Sequence, residues 1–345
     1  MPPDSNINDQ CLYFQNTPGQ PYWLNTAVSM TNTGDSGLAV VGNNTTNVTI
    51  SCKGSSDTQA CPTQVDGEVA TPIFELFMSK AAMNFGLDTS DVIYSNGLSP
   101  IPLSGVLTAG GSVTTTVTWQ SQDTDPTKPY YVDPTNAQAN HKCLIARCYT
   151  NPTGNVDTTD AGLSSHIPDD QHYAQHNLDI QSIVGMSHVR LPIRAGNPTR
   201  EPQLVAIQAV PDLNPNPAVL AAILPGLKTV PGFKQISSTP LRKVELNLQP
   251  LALHSGGGLI KRIEEIIEEE VRAVLRLLEE AFGKATPKGG GAHGRVRVGG
   301  SFFSDFEFVV DPSDAQKGNA YIYHLTQTTA SNQPYGGITI ALVAG

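Results

Sequence analysis

Alternation of apolar and polar residues predicts short β-strands through much of the first half of the chain. In residues 47–53, NVTISCK, the apolar side chains fall on one face and the threonine and serine on the other. Residues 113–119, VTTTVTW, and 142–149, KCLIARCY, show the same two-residue period. Clusters of Gly, Pro, Asn and Asp separate these segments, so residues 21–190 are predicted to form a β-sandwich after an N-terminal arm, residues 1–20.

The alternating pattern returns after a proline-rich stretch, residues 191–202, which is predicted to be a linker. Further alternating segments are found at 242–253 (RKVELNLQPLAL), 295–310 (RVRVGGSFFSDFEFVV), 321–329 (YIYHLTQTT) and 336–345 (GGITIALVAG). They predict a second sandwich-like domain over residues 203–345. The expected fold class is therefore mainly β, with two β-sandwich domains and one long amphipathic helix inserted in the second.

The inserted helix, predicted over residues 258–283, lies between two glycine clusters in SGGGLIKRIEEIIEEEVRAVLRLLEEAFGKATPKGGG. Its apolar residues recur at threes and fours, and the segment from Leu259 to Phe282 would be about 36 Å long. Two roles fit this stripe. Its width favours packing against the protein's own second sheet, whereas its charge pattern favours contact with another copy of the chain.

The charges of this helix are self-complementary when two copies lie antiparallel. Lys261 and Arg262 in the first turn would then face Glu280 and Glu279 in the last turn. In an isolated helix the same charges oppose the helix dipole. The hypothetical interface residues are Lys261, Arg262, Glu265, Ile267, Glu269, Val271, Arg272, Val274, Arg276, Leu278, Glu279 and Glu280.

The amino-acid composition argues against some classes of binding partner and bears on where the protein is located. The net charge of −10 argues against nucleic acid and anionic membranes, and no apolar run is long enough to predict membrane insertion. Only 15% of residues are charged, against about 25% in average soluble domains, and this suggests an extracellular or particle-associated protein. No Sec signal peptide is visible, so the cytoplasm is the alternative.

Cys52 and Cys61 could form a disulfide in an oxidising compartment, with two free thiols as the alternative.

The segment HKCLIARCY, followed by PDDQHYAQHN, carries a resemblance to a known family. It resembles an immunoglobulin-like domain that recurs in large, mostly uncharacterised bacterial proteins, over residues 100–180. The matching residues are His141, Cys143, Leu144, Ala146, Arg147, Asp170, Ala174, Gln175 and Asn177, and Asn140 stands where a glycine is expected. The resemblance implies an immunoglobulin-like sandwich and supplies no catalytic residues.

The densest set of potential metal ligands is His166, His172 and His176 with Asp169 and Asp170. The segment contains no HExxH motif, and the resemblance places it in a loop that leads into a strand. Solvated loop histidines are therefore favoured over a metal site. We predict no catalytic, cofactor-binding or metal-binding residues and no cofactor.

These patterns favour a non-enzymatic structural or interaction protein, a self-assembling subunit of a bacterial multimeric assembly or surface layer. Its contacts would use the inserted helix and strand edges, and its partner would be another copy or an assembly protein. GGITIALVAG is a candidate donor strand, although an ordinary in-chain strand is favoured. The alternatives are an adhesion module that binds carbohydrate through Tyr130, Tyr131 and Tyr335, and a metal-dependent hydrolase that uses the histidine segment.

Overall fold

A computed structural model describes ten stretches of the chain, and every structural statement below concerns these residues. They are 12–54, 72–83, 91–93, 100–136, 140–150, 171–197, 203–248, 291–298, 302–329 and 334–345.

The described residues form strands and one α-helix, with short 3₁₀ turns at Thr31–Thr33 and Pro312–Asp314. In chain order these are β1 (Leu12–Tyr13), β2 (Val28–Met30), β3 (Gly42–Cys52), β4 (Pro72–Lys80), β5 (Asp91–Ile93), β6 (Ile101–Pro102), β7 (Ser112–Ser121), β8 (Lys142–Thr150), β9 (Tyr173–His176), β10 (Leu178–Ser182), β11 (Val189–Asn197), β12 (Gln203–Pro211), α1 (Pro217–Leu227), β13 (Gln235–Ile236), β14 (Lys243–Asn247), β15 (Ala292–Val298), β16 (Phe302–Asp311), β17 (Asn319–Thr328) and β18 (Pro334–Ala344). The prediction of a mainly β fold is confirmed.

The first sandwich consists of β1–β9. In one sheet β3 lies between β7 on one side and β1 and β2 on the other, and in the facing sheet β4 and β8 are central. The predicted alternation in β3 is confirmed, because Val48, Ile50 and Cys52 point into the core between the sheets. Strand β8 is buried on both faces. Leu144 and Ala146 belong to that core, whereas the opposite face packs against the second sandwich.

The second sandwich consists of β10–β18. One sheet has the order β10-β18-β17-β12-β15, and the facing sheet has the order β11-β16-β14. Strand β18 explains why GGITIALVAG is almost entirely apolar. Ile338 and Ile340 face the core between the sheets, while Ala341 and Val343 on the other face pack against α1. A central strand covered on both faces has no solvated side that would require polar residues.

Helix α1 was not predicted from the sequence. Asn216 caps its first turn, since its side chain accepts hydrogen bonds from the Ala218 and Val219 amides at 2.9 and 3.0 Å, and Pro217 occupies the first helical position. Val219, Ile223 and Leu227 lie on the buried face of the helix. Burial of each such side chain is worth roughly 1.5–3 kcal/mol, and this holds the short helix on the sheet.

The described strands do not follow the predicted segment boundaries. The described part of the predicted arm includes β1, and Leu12 and Phe14 are buried in the first core. The chain changes sandwich at Asn177, between β9 and β10, and β10 already pairs with β18. The predicted linker 191–202 begins inside β11, which pairs with β16. The predicted helical insertion 258–283 lies outside the described residues.

Candidate functional site

Asn177 lies at the point where the two sandwiches meet, and it is completely buried. Its side-chain amide donates hydrogen bonds to the carbonyl of Ala82 in the first sandwich at 3.0 Å and to that of Gly337 in β18 at 2.5 Å. Its Oδ1 accepts from His141 Nε2 at 2.8 Å and from the Cys143 thiol at 2.7 Å. Both donors of the amide and both lone pairs of the oxygen are thus used, and the residue joins the two sandwiches.

Cys143, His141 and Asn177 together have the composition of a cysteine-nucleophile site, and Cys143 Sγ lies 3.4 Å from His141 Nε2. The environment opposes that chemistry. Burial raises the pKa of the Cys143 thiol well above its ordinary value, and burial lowers the pKa of His141 to about 3. A protonated thiol beside a neutral imidazole is not activated, and both side chains are buried away from solvent. The arrangement is a structural hydrogen-bond network.

Two of the three histidines predicted to be solvated, His172 and His176, are buried, so the prediction was wrong for them. His172 is 3% exposed and His176 is fully buried in β9. The Nε2 atom of His176 lies 3.0 Å from Asp35 Oδ1, and Nδ1 lies 3.4 Å from the Asn25 carbonyl oxygen. Burial disfavours the charged imidazole, but the Asp35 carboxylate outweighs burial and raises the pKa of His176 above its ordinary value. His176 is therefore the buried half of an ion pair with Asp35.

Arg147, another motif residue, forms a buried ion pair on the face of β8 that points away from the first core. Its Nη2 and Nε lie 2.5 and 3.0 Å from Glu75 Oε2 in the adjacent strand β4. The guanidinium also lies 5.7 Å from the centre of the Phe77 ring and 5.9 Å from that of Tyr149. Burial disfavours the charge, yet Glu75 holds the pKa of Arg147 above its ordinary value. The Arg147 guanidinium therefore has a structural role, with its charge balanced by Glu75.

A second arrangement resembles a hydrolytic triad. Asp212 Oδ2 lies 3.0 Å from His324 Nε2, and His324 Nδ1 lies 2.9 Å from Thr339 Oγ1. However, Thr339 is fully buried, and the Trp23 indole donates a hydrogen bond to the same hydroxyl at 3.0 Å. No substrate carbonyl can reach the buried hydroxyl. This chain of hydrogen bonds instead fixes β17 and β18 against the segment that carries Trp23.

A groove of about 430 Å³ opens between the two sandwiches. One wall contains the end of β4, the start of β8 and the loop that follows β7, and the other wall contains β11, β14 and β16. Charged and aromatic residues that line it include Lys80, Tyr131, Asp133, Lys142, Arg194, Asp305, Phe306 and Glu307. Main-chain hydrogen bonds fix the walls, because the Arg194 amide donates to the Ala81 carbonyl and the Met83 amide donates to the Arg194 carbonyl, both at 2.9 Å.

Three cations of this groove lie close enough to affect one another. Burial, followed by the charges of Lys80 and Arg194, lowers the pKa of Lys142 to about 7. Burial, followed by the charge of Arg194, also lowers the pKa of Lys80. Both shifts mean that the folded protein disfavours the positive charge at these positions. Burial is the larger cause of both shifts, and the groove also contains the carboxylates of Asp133, Asp305 and Glu307.

Most of the other predicted contact and site residues cannot be compared with the structure. All twelve hypothetical interface residues, Lys261 to Glu280, and His166, Asp169 and Asp170 lie outside the described residues. Tyr130 packs against the first core, Tyr131 lines the groove, and the side chain of Tyr335 is not described. Among the described residues, no group of three His, Cys, Asp or Glu side chains is placed to hold a metal, and no helix has the length and hydrophobicity to cross a bilayer.

The C-terminal segment GGITIALVAG is an in-chain strand, as favoured from the sequence. Strand β18 pairs with β17 on one side and with β10 on the other, so neither edge is available to another chain. Cys52 is buried at the end of β3, and its proposed partner Cys61 lies outside the described residues.

Comparisons of this chain with known proteins give matches among solved structures alone, at low identity. No known protein family and no curated protein matches it. Among solved structures, the collagen adhesin of S. aureus aligns at 10% identity and a TM-score of 0.21, over 92% of this chain and 91% of the adhesin chain. The CupB6 tip adhesin of Pseudomonas aeruginosa aligns at 10% identity and a TM-score of 0.18, over 96% and 98% of the two chains. Such low scores carry no argument about function.

Proposed function

We propose that the protein is a non-enzymatic interaction protein of a bacterial surface or multimeric assembly, and that the segment 249–290 makes its contacts with other copies of the chain. The observation that carries this proposal is the position of the segment's two ends. Strands β14 and β15 are the edge strands of the two facing sheets of the second sandwich among the described strands. In the sequence, the segment 249–290 follows β14 and precedes β15.

The ends of the segment are close in space. A Cβ atom on Gly294 in β15 would overlap the side chain of Leu248, which directly follows β14. Leu248 and Ala292 both pack against the second core. A connection of a few residues would therefore join these strands, as is common between adjacent elements. Residues 249–290 are far longer than closure of the sandwich requires.

The charge pattern of the segment supports another copy of the chain as its partner. In an antiparallel pair, Lys261 faces Glu280 and Arg262 faces Glu279, which favours a two-fold contact. Each exposed ion pair contributes at most about 1 kcal/mol, so the pairs set orientation while the apolar stripe supplies most of the binding energy.

The buried network at the junction supports a structural role for the rest of the chain. Asn177 and its partners hold the two sandwiches in one fixed relation, and a rigid body is what a repeating contact requires. The assignment of residues 100–180 to the bacterial immunoglobulin-like domains is part of this proposal. The burial of His141, Cys143 and Asn177 is consistent with a motif that serves folding rather than catalysis.

The proposal is tested by replacing residues 249–290 with a short Gly-Ser linker and measuring mass by light scattering after size exclusion. We expect the intact chain to form a concentration-dependent oligomer and the shortened chain to be a monomer of about the mass of one chain. As a matched control, the same residues in scrambled order keep length and composition but lose the apolar stripe, and should also give a monomer. An oligomer of unchanged mass after the replacement would exclude this role, and a loss of stability alone would show that the stripe covers the protein's own sheet.

A further inference from the structure

The groove between the sandwiches contains basic groups that have no carboxylate partner in the described structure. The Lys80 ammonium donates to the Pro126 carbonyl, and the Lys142 ammonium donates to the Tyr131 carbonyl at 2.5 Å. A carbonyl oxygen satisfies a hydrogen bond but carries no net charge to balance an ammonium. Neither ammonium group forms an ion pair with a described carboxylate, although the charges of Asp305 and Asp125 partly oppose the effect of burial on the pKa of Lys80.

The carboxylates of the groove are already engaged elsewhere. Asp133 accepts hydrogen bonds from the Thr135 amide and hydroxyl in its own turn at 2.8 and 2.7 Å. Glu307 lies 3.3 Å from Arg190 and accepts from Asn247 at 3.1 Å. These contacts direct the two carboxylates towards partners other than the lysines.

Arg194 has one carboxylate partner and retains donors for another. Its Nε lies 3.0 Å from Asp305 Oδ1, and Asp305 is 67% exposed and therefore strongly hydrated. The guanidinium carries further N–H groups in a planar arrangement that matches a carboxylate. Because the Arg194 side chain is 32% exposed, a ligand in the groove can reach these donors.

The groove also offers apolar and aromatic surface beside its cations. Tyr131, Pro192 and Phe306 line it, and the Tyr131 ring centre lies 5.9 Å from the Lys80 ammonium. A volume of about 430 Å³ suits a small cyclic ligand, since ligand pockets span roughly 300–1,000 Å³. Positive charge next to a ring-sized apolar wall is suited to a ring that bears an anionic group.

We propose that the groove binds an acidic sugar residue, with Lys80 and Arg194 on its carboxylate and the Tyr131 ring beside the sugar ring. Lys142 lines the same groove but is only 1% exposed, so it does not touch the ligand. Binding of the carboxylate offsets the repulsion between Lys80 and Arg194. This activity is independent of the contacts made by residues 249–290.

Saturation-transfer NMR on the full chain tests this inference with two matched ligands, methyl β-glucuronide and methyl β-glucoside, which differ at the carboxylate. We expect saturable binding of the glucuronide and at least about tenfold weaker binding of the glucoside, the effect of losing a charge-assisted contact. Arg194→Gln should weaken glucuronide binding by about tenfold or more. Lys317→Gln, an exposed lysine beyond the far end of β16, should leave the binding unchanged.

A gain-of-affinity variant guards against loss of binding through misfolding. Asp305→Asn removes the exposed carboxylate that competes for Arg194, so it should tighten glucuronide binding by a few-fold. Equal affinity for the two sugars, no effect of Arg194→Gln, or no tightening in Asp305→Asn would each overturn the proposal. Inorganic phosphate that displaces the glucuronide at equal or lower concentration would show a general anion site and would overturn the assignment to a sugar.

Discussion

Replacement of Asn177 by alanine is the sharpest test of the junction between the sandwiches. The amide side chain makes four hydrogen bonds, two to the carbonyls of Ala82 and Gly337 and two from the side chains of His141 and Cys143. Ala82 follows β4, and Gly337 lies in β18, so the variant removes direct links between the two halves of the molecule.

The expected loss can be worked out from these bonds. Each is worth about 1 kcal/mol net, so the four together contribute about 4 kcal/mol. The His141 imidazole stays buried without its acceptor, which adds to the loss, whereas the Cys143 thiol can turn to the Ala82 carbonyl at 3.1 Å, which offsets it. We therefore expect the free energy of unfolding to fall by about 3–5 kcal/mol, a large part of the roughly 5–15 kcal/mol typical of folded proteins.

Urea unfolding followed by tryptophan fluorescence measures this loss, and the two tryptophans report on different places. The Trp23 indole bonds to Thr339 across the junction, whereas the Trp119 indole bonds to Thr46 within the first sandwich. In Trp23→Phe and Trp119→Phe backgrounds, Asn177→Ala should shift the signal of Trp23 to lower urea than that of Trp119. The two probes should coincide in the parent chain.

The matched control is Asn214→Ala, an exposed asparagine in the loop before α1, for which we expect a change within about 0.5 kcal/mol. A loss below about 1 kcal/mol in Asn177→Ala would refute the reasoning, because it would show that the buried amide is not required to hold the sandwiches together.

Three further substitutions test other buried groups. Asp179 is buried and its pKa is raised from 3.8 to about 7, so the folded protein loses stability as pH rises from about 4 to 7. Asp179→Asn should abolish that loss, which is measured by urea unfolding at pH 4.5 and 7.5. Glu75→Gln leaves Arg147 buried without its carboxylate and should lower the free energy of unfolding by about 3–5 kcal/mol in the same assay. Gly337→Ala places a Cβ 2.5 Å from Trp23 and should cost about 1–3 kcal/mol, with a shift of the Trp23 emission maximum.

Matched variants accompany the tests at Glu75 and Gly337. Glu307→Gln breaks the exposed pair with Arg190, which is 63% exposed, and should cost less than about 1 kcal/mol. Gly105→Ala introduces a Cβ at an ordinary 3.6 Å contact and should be close to neutral. Equal losses in buried and exposed variants, or a parallel pH dependence in Asp179→Asn and the parent, would contradict the assigned environments.

The strands were predictable wherever a local period determines them. Val48, Ile50 and Cys52 alternate with polar residues because β3 has one face on the core, and the structure confirms this pattern. The helix α1 was missed because its apolar residues are nearly continuous and include Pro225, although Asn216 followed by Pro217 is a helix-start signal.

The buried polar groups could not be placed from local pattern. His141 and Asn177 belong to the motif that carries the resemblance, but only the three-dimensional fold brings His141 onto Asn177 and Asn177 onto the carbonyls of Ala82 and Gly337. His176 was predicted to be solvated because the resemblance placed it in a loop, whereas it lies in β9 and its partner in space is Asp35.

The groove was also beyond sequence reasoning. Four of its charged residues lie in four strands that are distant from one another in the sequence: Lys80, Lys142, Arg194 and Asp305. No short sequence motif therefore connects them. The net charge of the whole chain is negative, which by itself argues against a site that contains several basic residues.

The central claim, that residues 249–290 join copies of the chain, is tested most directly by reversing the charges at the two ends of the predicted helix. The mass of three variants is measured by light scattering: K261E/R262E, E279K/E280K and the combination of all four changes. The account predicts that each double variant shifts towards the mass of one chain, 36.7 kDa, and that the fourfold variant regains the mass of the parent oligomer. Identical masses for the parent and all three variants, or a fourfold variant as dissociated as the doubles, would contradict it.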